Sequence, residues 1–495
     1  MAKKKTEKPA SETRNATKKS RKPAATRSAA AGGADGKAAA RLEKLEEKLQ
    51  KKQAKLTEAR ARLRAVEAML GEDDDQGGDQ AAAISPFAPK AFPSMPEIDG
   101  VRFASAAAGV KYPGRLDVML AEIARGSAIA GVFTRSRTRA APVLWCEEKL
   151  AALAGKPVSG PAAILVNAGN ANAFTGDNGR KGVEETALSV TRALGVKVGH
   201  VFLASTGVIG EPLPYERITA RMADLAERLQ PDAWEDAARA IMTTDTFTKA
   251  ASVEVDLDGE TIRIGGFAKG SGMIAPDMAT MLVFVFTDAA VEPALLQKTL
   301  SELTGPTFNS ITVDGDTSTS DCLLLVATGK ASAPKLTKTR DAGYAAFRRG
   351  LERVMRDLAQ QVVKDGEGAT KFVEVTVEGA RTVRAARQIA LSIANSPLVK
   401  TAWAGEDPNW GRVVMAVGKA GEDADRDKLA IRYGEHPVAS QGWRDPAYDE
   451  EVLAEYMRQP ELQVTVDVGV GRSRATVWTC DLTHRYISIN ADYRS

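Results

Sequence analysis

Hydrophobic positions divide the chain into stretches of different pattern. Residues 1–37 have no hydrophobic periodicity and are rich in Lys, Ala, Pro and Ser, which predicts a disordered basic arm. Residues 38–71 repeat apolar side chains at alternating steps of three and four, the pattern of a coiled-coil helix. Residues 72–95 form an acidic and then proline-rich linker. Short β-type runs alternate with helical stretches from residue 96 onward, so we expect an α/β or α+β globular unit there.

The coiled-coil seam is interrupted only at Lys52, and Glu, Lys and Arg fill its flanks. A strict seam of this kind needs a partner to bury it, so we expect self-association or packing on another protein. The alternative is a lone solvated helix held by ion pairs between neighbouring turns. The seam consists of Leu42, Leu45, Leu49, Leu56, Ala59, Leu63, Val66 and Leu70.

The globular part contains apolar runs that predict strands and amphipathic runs that predict helices. The predicted strands are residues 162–166, 253–257, 281–287, 323–327, 373–377 and 464–468. The predicted helices are residues 217–229, 293–303 and 342–364. Residues 469–471, Gly-Val-Gly, predict a hairpin turn, and residues 407–412 predict a structural turn with Trp410 packed inward.

Charge and cysteine content exclude several classes of protein. Lys and Arg number 67 and Asp and Glu 64, a net charge of +3 that implies no general affinity for nucleic acid or membrane. The apolar stretches are too short to span a bilayer, and the N-terminus lacks the apolar core of a secretory signal. The acidic residues and many lysines of the first 30 positions argue against a mitochondrial transit peptide. Three widely spaced cysteines fit a reducing cytoplasm.

Histidine and glycine patterns exclude further chemistry. The three histidines, His200, His436 and His484, stand in no metal-binding or nucleophile context, which argues against a zinc enzyme or a Ser-His-Asp hydrolase. No phosphate-binding glycine motif is present. The Gly/Asn-rich stretch 167–176 after a buried-type strand is either a series of turn formers or a loop that presents backbone N–H groups to a ligand.

A glycine-containing loop at residues 269–279 runs into Thr280, which opens an apolar strand. Small residues allow the Thr280 hydroxyl to attack the carbonyl of Ala279, and hydrolysis of the resulting ester would free a new amino terminus on Thr280. An α-amino group with a pKa of about 7.7–8.0 can act as the base for its own hydroxyl. One residue would then supply nucleophile and base without a histidine.

This segment resembles part of the ornithine acetyltransferase (glutamate N-acetyltransferase) family of arginine biosynthesis. The resemblance extends over about residues 95–495 with its motifs in the right order. It implies a helix-flanked β sandwich of the ornithine acetyltransferase and self-processing aminopeptidase type. The further segments that carry it are residues 205–210, 243–246, 314–321, 364–371 and 407–412.

The resemblance also implies an activity. The precursor would cut itself between Ala279 and Thr280, so that the catalytic domain consists of residues 96–279 in an α chain and residues 280–495 in a β chain. Threonine would take acetyl from N-acetylornithine and pass it to glutamate in a ping-pong reaction. No metal or cofactor is implied, acetyl-CoA remains open as a second acetyl donor, and the α and β chains would assemble as α2β2 in the cytoplasm.

Site residues follow from the motifs position by position. Thr280 matches the nucleophile, and Thr206 with Gly207 matches the pair that forms the oxyanion hole. Lys269 would hold a substrate carboxylate and Glu367 the ornithine amine. The full set of positions that match substrate-binding residues is Thr243, Lys269, Thr280, Glu367, Asn490 and Ser495.

The sequence departs from the family pattern at Ala275, Asp277 and Thr248, and the first two bear on the rate of self-cleavage. Two other functions remain open. Water could replace glutamate as acceptor, which would make the protein a self-processed aminopeptidase or amidohydrolase. The N-terminal extension could instead make it an interaction protein, in which the basic arm contacts nucleic acid or an acidic partner and the coiled coil sets the oligomeric state. Lysine clusters such as residues 18–22 are more typical of solvated tails, so nucleic acid is not an expected partner.

Overall fold

The structure is a computed structural model that describes Lys48, Lys52 and residues 84–275 and 281–492. Residues 82–495 form one compact unit. The predicted basic arm 1–37, the seam of the coiled coil and the first part of the linker lie outside the described residues. So do Ala279, Thr280 and Ser495, whose predicted roles therefore remain predictions.

Two β-sheets pack face to face in this unit. The first sheet has four strands in the order β1-β2-β4-β5 and the second has five in the order β3-β9-β8-β7-β6. The strands of the first are β1 (Val101–Ala106), β2 (Val118–Ile123), β4 (Ala162–Asn170) and β5 (Val201–Val208). Those of the second are β3 (Ala128–Phe133), β6 (Lys249–Leu257), β7 (Glu260–Lys269), β8 (Leu282–Thr287) and β9 (Cys322–Ala327).

The sequence of β8 is apolar throughout because both faces of the strand are buried. Leu282, Phe284 and Phe286 belong to the core between the two sheets, whereas Val283 and Val285 belong to the core on the other face of the second sheet. Successive side chains of a strand point to opposite faces, so a strand that is buried on both faces needs a continuous apolar run.

Helices cover the outer faces of both sheets. Helices α2 (Gly176–Leu194), α3 (Tyr215–Thr219) and α4 (Met222–Glu227) pack on the first sheet. Helices α6 (Pro293–Thr304) and α7 (Tyr344–Lys364) pack on the second. Helices α1 (Ala141–Leu153) and α5 (Trp234–Ala240) add side chains to the core between the sheets. The arrangement is the expected helix-flanked β sandwich.

A third sheet of six strands, in the order β13-β12-β11-β14-β10-β15, has its own apolar core. Its strands are β10 (Phe372–Ala380), β11 (Ala430–Tyr433), β12 (His436–Ser440), β13 (Trp443–Arg444), β14 (Glu461–Asp467) and β15 (Ser473–Cys480). Helices α8 (Val383–Ala394), α9 (Pro397–Ala404), α10 (Trp410–Gly418) and α11 (Glu450–Met457) pack against it. The chain of described residues ends with α12 (His484–Asp492).

All six predicted strands are confirmed, as are the helices that begin near Pro293 and Tyr344. The predicted single helix over 217–229 is wrong because its hydrogen bonding tightens at Arg221, whose N–H bonds the carbonyl of Ile218, three residues back. The predicted hairpin turn at 469–471 is also wrong, because β14 and β15 both pair with β10 and not with each other.

The predicted structural turn at 407–412 is only partly right, because residues 407–409 lead directly into α10, which begins at Trp410. The Asn409 side chain caps α10 by accepting a hydrogen bond from the Arg412 N–H at 3.2 Å. Trp410 packs against the core of the third sheet. Among the described helices, none is long and apolar enough to cross a bilayer.

Candidate active site

A cavity of about 150 Å³ lies where β5 and β7 end. It gathers residues from positions far apart in the sequence, carried on β5, β7, the loop before β9, the loop after α7, and α12. Six predicted site residues line it together: Thr206, Gly207, Thr243, Lys269, Glu367 and Asn490. Residues without a predicted role that also line it include Thr244, Gly272, Met273, Ser318, Thr319 and Ser320.

Gly207 stands where two backbones approach closely. Its φ is +129°, and a Cβ atom placed there would lie 2.3 Å from the carbonyl carbon of Gly169 on β4. No side chain fits that gap, so glycine is required where β5 reaches the cavity. The neighbouring Thr206 is almost fully buried, with 7% of its surface exposed.

The Gly/Asn-rich stretch supports this approach from β4. The strand continues to Asn170, so the first four residues of the predicted loop are strand instead. Asn167 accepts a hydrogen bond from the Ser205 hydroxyl at 2.6 Å and donates one to the carbonyl of Asn170 at 2.8 Å. The Asn167 side chain therefore ties the end of β4 to β5 beside Thr206.

Lys269, at the end of β7, is 3% exposed. Its Nζ atom lies 3.3 Å from the Thr206 Oγ1 and 3.9 Å from a carboxylate oxygen of Asp245. Burial lowers the pKa of Lys269, the positive charge of Lys249 lowers it further, and the Asp245 carboxylate opposes both. The cavity wall thus contains a buried lysine amine that contacts both the expected oxyanion-hole residue and a carboxylate.

A buried ion cluster lies behind Lys269. The Lys249 ammonium contacts Asp245 at 2.6 Å and Asp365 at 2.5 Å, and all three side chains are inaccessible to solvent. Burial would raise the pKa of Asp245, but the charges of Lys249 and Lys269 outweigh it and hold that pKa well below its usual range. Asp245 also accepts hydrogen bonds from the N–H groups of Gly270 at 2.6 Å and Thr243 at 3.0 Å. The cluster therefore fixes the backbone on both sides of the cavity.

Glu367 supplies the negative charge of the cavity. Its Oε2 accepts a hydrogen bond from the Asn490 Nδ2 at 2.7 Å, which joins α12 to the loop after α7. Its backbone N–H bonds the carbonyl of Ser271 at 3.1 Å. A Cβ atom at Gly272 would lie 2.5 Å from the Glu367 carboxylate, so Gly272 leaves the room that this carboxylate occupies.

Carboxylates hold the described residues on both sides of the predicted cleavage segment. Asp314 accepts the N–H groups of Met273 at 2.6 Å and Ile274 at 2.9 Å. Asp321 accepts the N–H of Met281, the residue after Thr280, at 2.8 Å. Burial raises the pKa of Asp314 and raises that of Asp321 well above its ordinary value.

No sequence pattern predicts a role for Asp245, Lys249, Asp314, Asp321 or Asp365. All except Lys249 lie inside the motifs that carry the resemblance. Their presence in a motif does not by itself indicate what they do. The signal for the ion cluster was a lysine four residues after an aspartate at the start of a strand, which gains meaning only when burial is known.

The histidines lie outside the cavity, as expected. A ring nitrogen of His200 lies 3.1 Å from the carbonyl oxygen of Pro161, and the ring of His436 packs against Tyr456. Within residues 84–275 and 281–492, no group of three or more His, Cys, Asp or Glu side chains is placed to hold a metal ion. Cys146, Cys322 and Cys480 are buried free thiols.

The sequence of the chain is similar to that of one known protein family. The model of the ArgJ family matches residues 102–495. The chain belongs to the ArgJ family. The ArgJ arginine biosynthesis bifunctional protein of Ruegeria pomeroyi is 61% identical over 83% of this chain and 98% of the relative. That of Brucella suis is 56% identical over 84% of this chain and 100% of the relative.

Solved ArgJ structures include the Bacillus halodurans protein, which is 40% identical over 43% of this chain and 100% of the solved chain, with a TM-score of 0.42. Membership of the ArgJ family confirms the expected acetyltransferase of arginine biosynthesis, a glutamate N-acetyltransferase. It does not favour the aminopeptidase alternative. The ArgJ match begins at residue 102, so the predicted arm, coiled coil and linker lie outside it.

Proposed function

We propose that the protein cuts itself between Ala279 and Thr280 and then transfers acetyl from N-acetylornithine to glutamate through an ester on Thr280. Thr280 itself lies outside the described residues. The observation that carries the proposal is the cavity, where six of the expected site residues meet although they span positions 206–490.

The charges of the cavity suit the substrate. N-acetylornithine carries one carboxylate and one free side-chain amine, and its α-nitrogen is neutralised by acetyl. The cavity offers one buried cation, Lys269, and one carboxylate, Glu367. A substrate that pairs its carboxylate with the first and its amine with the second would be fixed at both ends. Thr243 and Asn490 would add neutral hydrogen bonds that select chain length.

Acetyl transfer then proceeds in two steps, acetylation of Thr280 and transfer of acetyl to glutamate. The Thr280 Oγ gives its proton to the Thr280 α-amino group and attacks the acetyl carbonyl carbon. The C–N bond breaks, the α-ammonium returns the proton to the leaving amine, and ornithine departs. The amine of glutamate next attacks the ester, the C–Oγ bond breaks, and the Thr280 Oγ takes a proton back.

Thr206 and Gly207 would stabilise the oxyanion of each tetrahedral intermediate. Lys269 in its ammonium form has only donors, so in its contact with the Thr206 Oγ1 the threonine oxygen is the acceptor. The hydroxyl hydrogen of Thr206 is therefore left to point elsewhere, and the Lys269 charge polarises the O–H bond. Both effects strengthen Thr206 as an oxyanion donor.

Self-cleavage would use the same Thr280 hydroxyl, before the α-amino group is free. The Thr280 Oγ attacks the Ala279 carbonyl, and its hydroxyl proton passes to the Thr280 nitrogen as the peptide C–N bond breaks and the ester forms. Water then hydrolyses the ester to a carboxylate and a free hydroxyl. The hydrogen bonds of Asp314 to Ile274 and of Asp321 to Met281 support this step, since they fix the chain on both sides of the segment.

The proposal extends to the assembly of the two chains, the location of the enzyme and a second acetyl donor. We infer that residues 96–279 and 280–495 act as one catalytic domain, that the processed chains form α2β2, and that the enzyme works in the cytoplasm. The curated relatives bear the word bifunctional in their names, which supports acetyl-CoA as a second acetyl donor. The extension 1–95, with its predicted basic arm, helix and linker, would then have a role separate from catalysis.

Intact mass spectrometry tests the proposal most directly. We expect two fragments from the wild-type protein, the second beginning at Thr280, and a single uncut chain from Thr280→Ala. Exchange of labelled acetyl between ornithine and glutamate should accompany cleavage and be absent from the variant. An uncut wild-type chain that still exchanges acetyl would overturn the role of Thr280.

A further inference from the structure

A second cavity, of about 500 Å³, lies between the sandwich and the third sheet. It is bounded by α7, α8, the start of β15 and the short turn Phe308–Ser310. None of its lining residues lines the candidate active site. Three arginines enter it from three different elements: Arg356 on α7, Arg387 on α8 and Arg474 on β15.

The cavity continues along α7 into a groove of about 630 Å³ that shares Arg356 and Gln360 with it. Arg349 and Arg353 line this groove, so with Arg356 they place three guanidinium groups at spacings of four and three on one helix face. Like charges at these spacings repel one another and slightly destabilise a helix. Such a row on a helix therefore favours an anionic neighbour.

Of the nearby carboxylates, only Glu352 pairs with an arginine that enters the cavity, Arg356. Glu352 forms ion pairs with Arg348 and Arg356 on its own helix. Asp357 accepts a hydrogen bond from Gln361 at 2.8 Å. Glu374 accepts one from the indole N–H of Trp478 at 2.9 Å. The protein thus provides the cations of this cleft without dedicating a carboxylate to each.

Two of the arginines lack an acceptor. Among the residues that the structure describes, neither Arg387 nor Arg474 has a hydrogen-bond or ion-pair partner, and the Arg387 Nε is fully buried. Burial also lowers the pKa of Arg387, the direction in which an uncompensated charge shifts. A buried donor without a partner is costly, so this guanidinium favours an acceptor supplied from outside the chain.

We propose that this cleft binds a small polyanion, whose phosphate or carboxylate groups are held by the guanidinium groups of Arg356, Arg387 and Arg474. The planar fork of arginine matches both kinds of oxyanion and can bind either through two parallel hydrogen bonds. The spread of the three arginines over separate elements, and the continuation along α7, favours a ligand with more than one anionic group. Ser310 and Thr476 line the same cleft and offer neutral hydroxyls beside the charges.

Calorimetric titration of the processed enzyme with pyrophosphate and, separately, with citrate tests the site. We expect saturable binding of one or both, at one ligand per catalytic unit, that weakens as salt rises. Binding of pyrophosphate alone would identify a phosphate-bearing ligand, and binding of citrate alone a carboxylate-bearing one. Absence of saturable binding for both anions at millimolar concentration would overturn the proposal.

Arg387→Gln and Arg474→Gln should each weaken binding roughly tenfold or more, because each loses charge-assisted hydrogen bonds. Arg474 is exposed, so its replacement should leave folding intact even if the half-buried Arg387 variant is destabilised. The matched control is Arg239→Gln on α5, an exposed arginine paired with Glu235. If Arg474→Gln binds as tightly as the wild type, or Arg239→Gln loses binding equally, the anions bind elsewhere and the assignment is wrong.

Discussion

The Nζ atom of Lys269 lies 3.3 Å from the Oγ1 atom of Thr206. The family motifs assign these two residues separate roles, substrate binding to Lys269 and oxyanion stabilisation to Thr206. Their contact means that one buried cation can serve both, because it can bind a carboxylate and also orient the Thr206 hydroxyl. A change at Lys269 should therefore affect the chemical step as well as substrate affinity.

Lys269→Met should lower kcat about 100- to 1,000-fold, the usual loss when one oxyanion donor fails, and should also raise KM for N-acetylornithine. Steady-state kinetics of acetyl exchange on fully processed protein measures both. Lys335→Met, at an exposed lysine paired with Glu292, is the matched control and should leave both constants unchanged. A rise in KM with normal kcat would show that Lys269 only binds substrate.

Gly272→Ala should displace the Glu367 carboxylate, because the added Cβ would lie 2.5 Å from it. The φ of Gly272 is not in the left-handed region, so the backbone tolerates alanine and the effect falls on Glu367. We expect KM for N-acetylornithine to rise about tenfold, the loss of roughly one charged hydrogen bond. Gly199→Ala, where an added Cβ meets nothing within 4 Å, should behave as wild type. Equal kinetics of both variants and the wild type would remove Glu367 from the substrate site.

The strands that the sequence predicts correctly are those whose burial shows in the local pattern of apolar residues. Strands β8 and β9 are buried on both faces, so their continuous apolar runs were enough to identify them. The connection at 469–471 was not predictable in this way. Its glycines indicate a turn, but the strand that separates β14 from β15 is β10, which lies about ninety residues earlier in the chain.

The candidate site shows the same division. Lys269 and Glu367 match substrate-binding positions of the family motifs, and their charges suit a charged substrate. Lys249, in contrast, looks like an ordinary strand lysine until the fold removes it from water and places Asp365, 116 residues away, at 2.5 Å. Electrostatic roles of this kind depend on burial and on distant partners, which one sequence does not display.

Loss of the Lys249 charge should destabilise the protein strongly. Lys249→Met leaves the Asp245 and Asp365 carboxylates buried without their shared cation, and removing one partner of a buried pair costs about 3–5 kcal/mol. Urea unfolding of wild type and variant at neutral pH measures the difference. Lys428→Met removes a lysine that pairs with Asp425 on the surface and should leave the free energy of unfolding nearly unchanged. A Lys249 variant no less stable than this control would contradict the role of the cluster.

The same cluster predicts the acid side of the stability profile. Because the folded-state pKa of Asp245 lies below its unfolded value, its contribution is fully present above the unfolded pKa of about 3.9 and is lost as pH falls through the folded pKa. The stability gap between wild type and Asp245→Asn should therefore be constant from pH 7 to about pH 5 and shrink below about pH 4. Asp423→Asn, at an exposed partner of Arg381, should show only a small gap throughout. A gap that widens in acid would show that Asp245 is not held ionised.

Asp321 should assist self-cleavage by fixing the residue after Thr280. Asp321→Ala removes the acceptor of the Met281 N–H, and losing one hydrogen bond of about 1 kcal/mol should slow cleavage several-fold. Asp321→Asn keeps an acceptor at the same place and is the matched control, with cleavage close to wild type. Denaturing gels sampled over time give the uncut fraction. If the Asn variant fails as severely as the Ala variant, the carboxyl group itself acts in the reaction and the positioning role is insufficient.

The two fragments should remain together after cleavage, because the second sheet takes strands from both. Strands β3, β6 and β7 precede Ala279, whereas β8 and β9 follow Thr280, and the order β3-β9-β8-β7-β6 interleaves them. Strand β8 pairs with β7 from Leu282 to Thr287, and β9 pairs with β3 over six residues. Gel filtration of processed protein in native buffer should therefore elute both fragments in one peak, and concentrated denaturant should be needed to separate them. Spontaneous separation in native buffer would mean that the interleaved sheet does not survive cleavage.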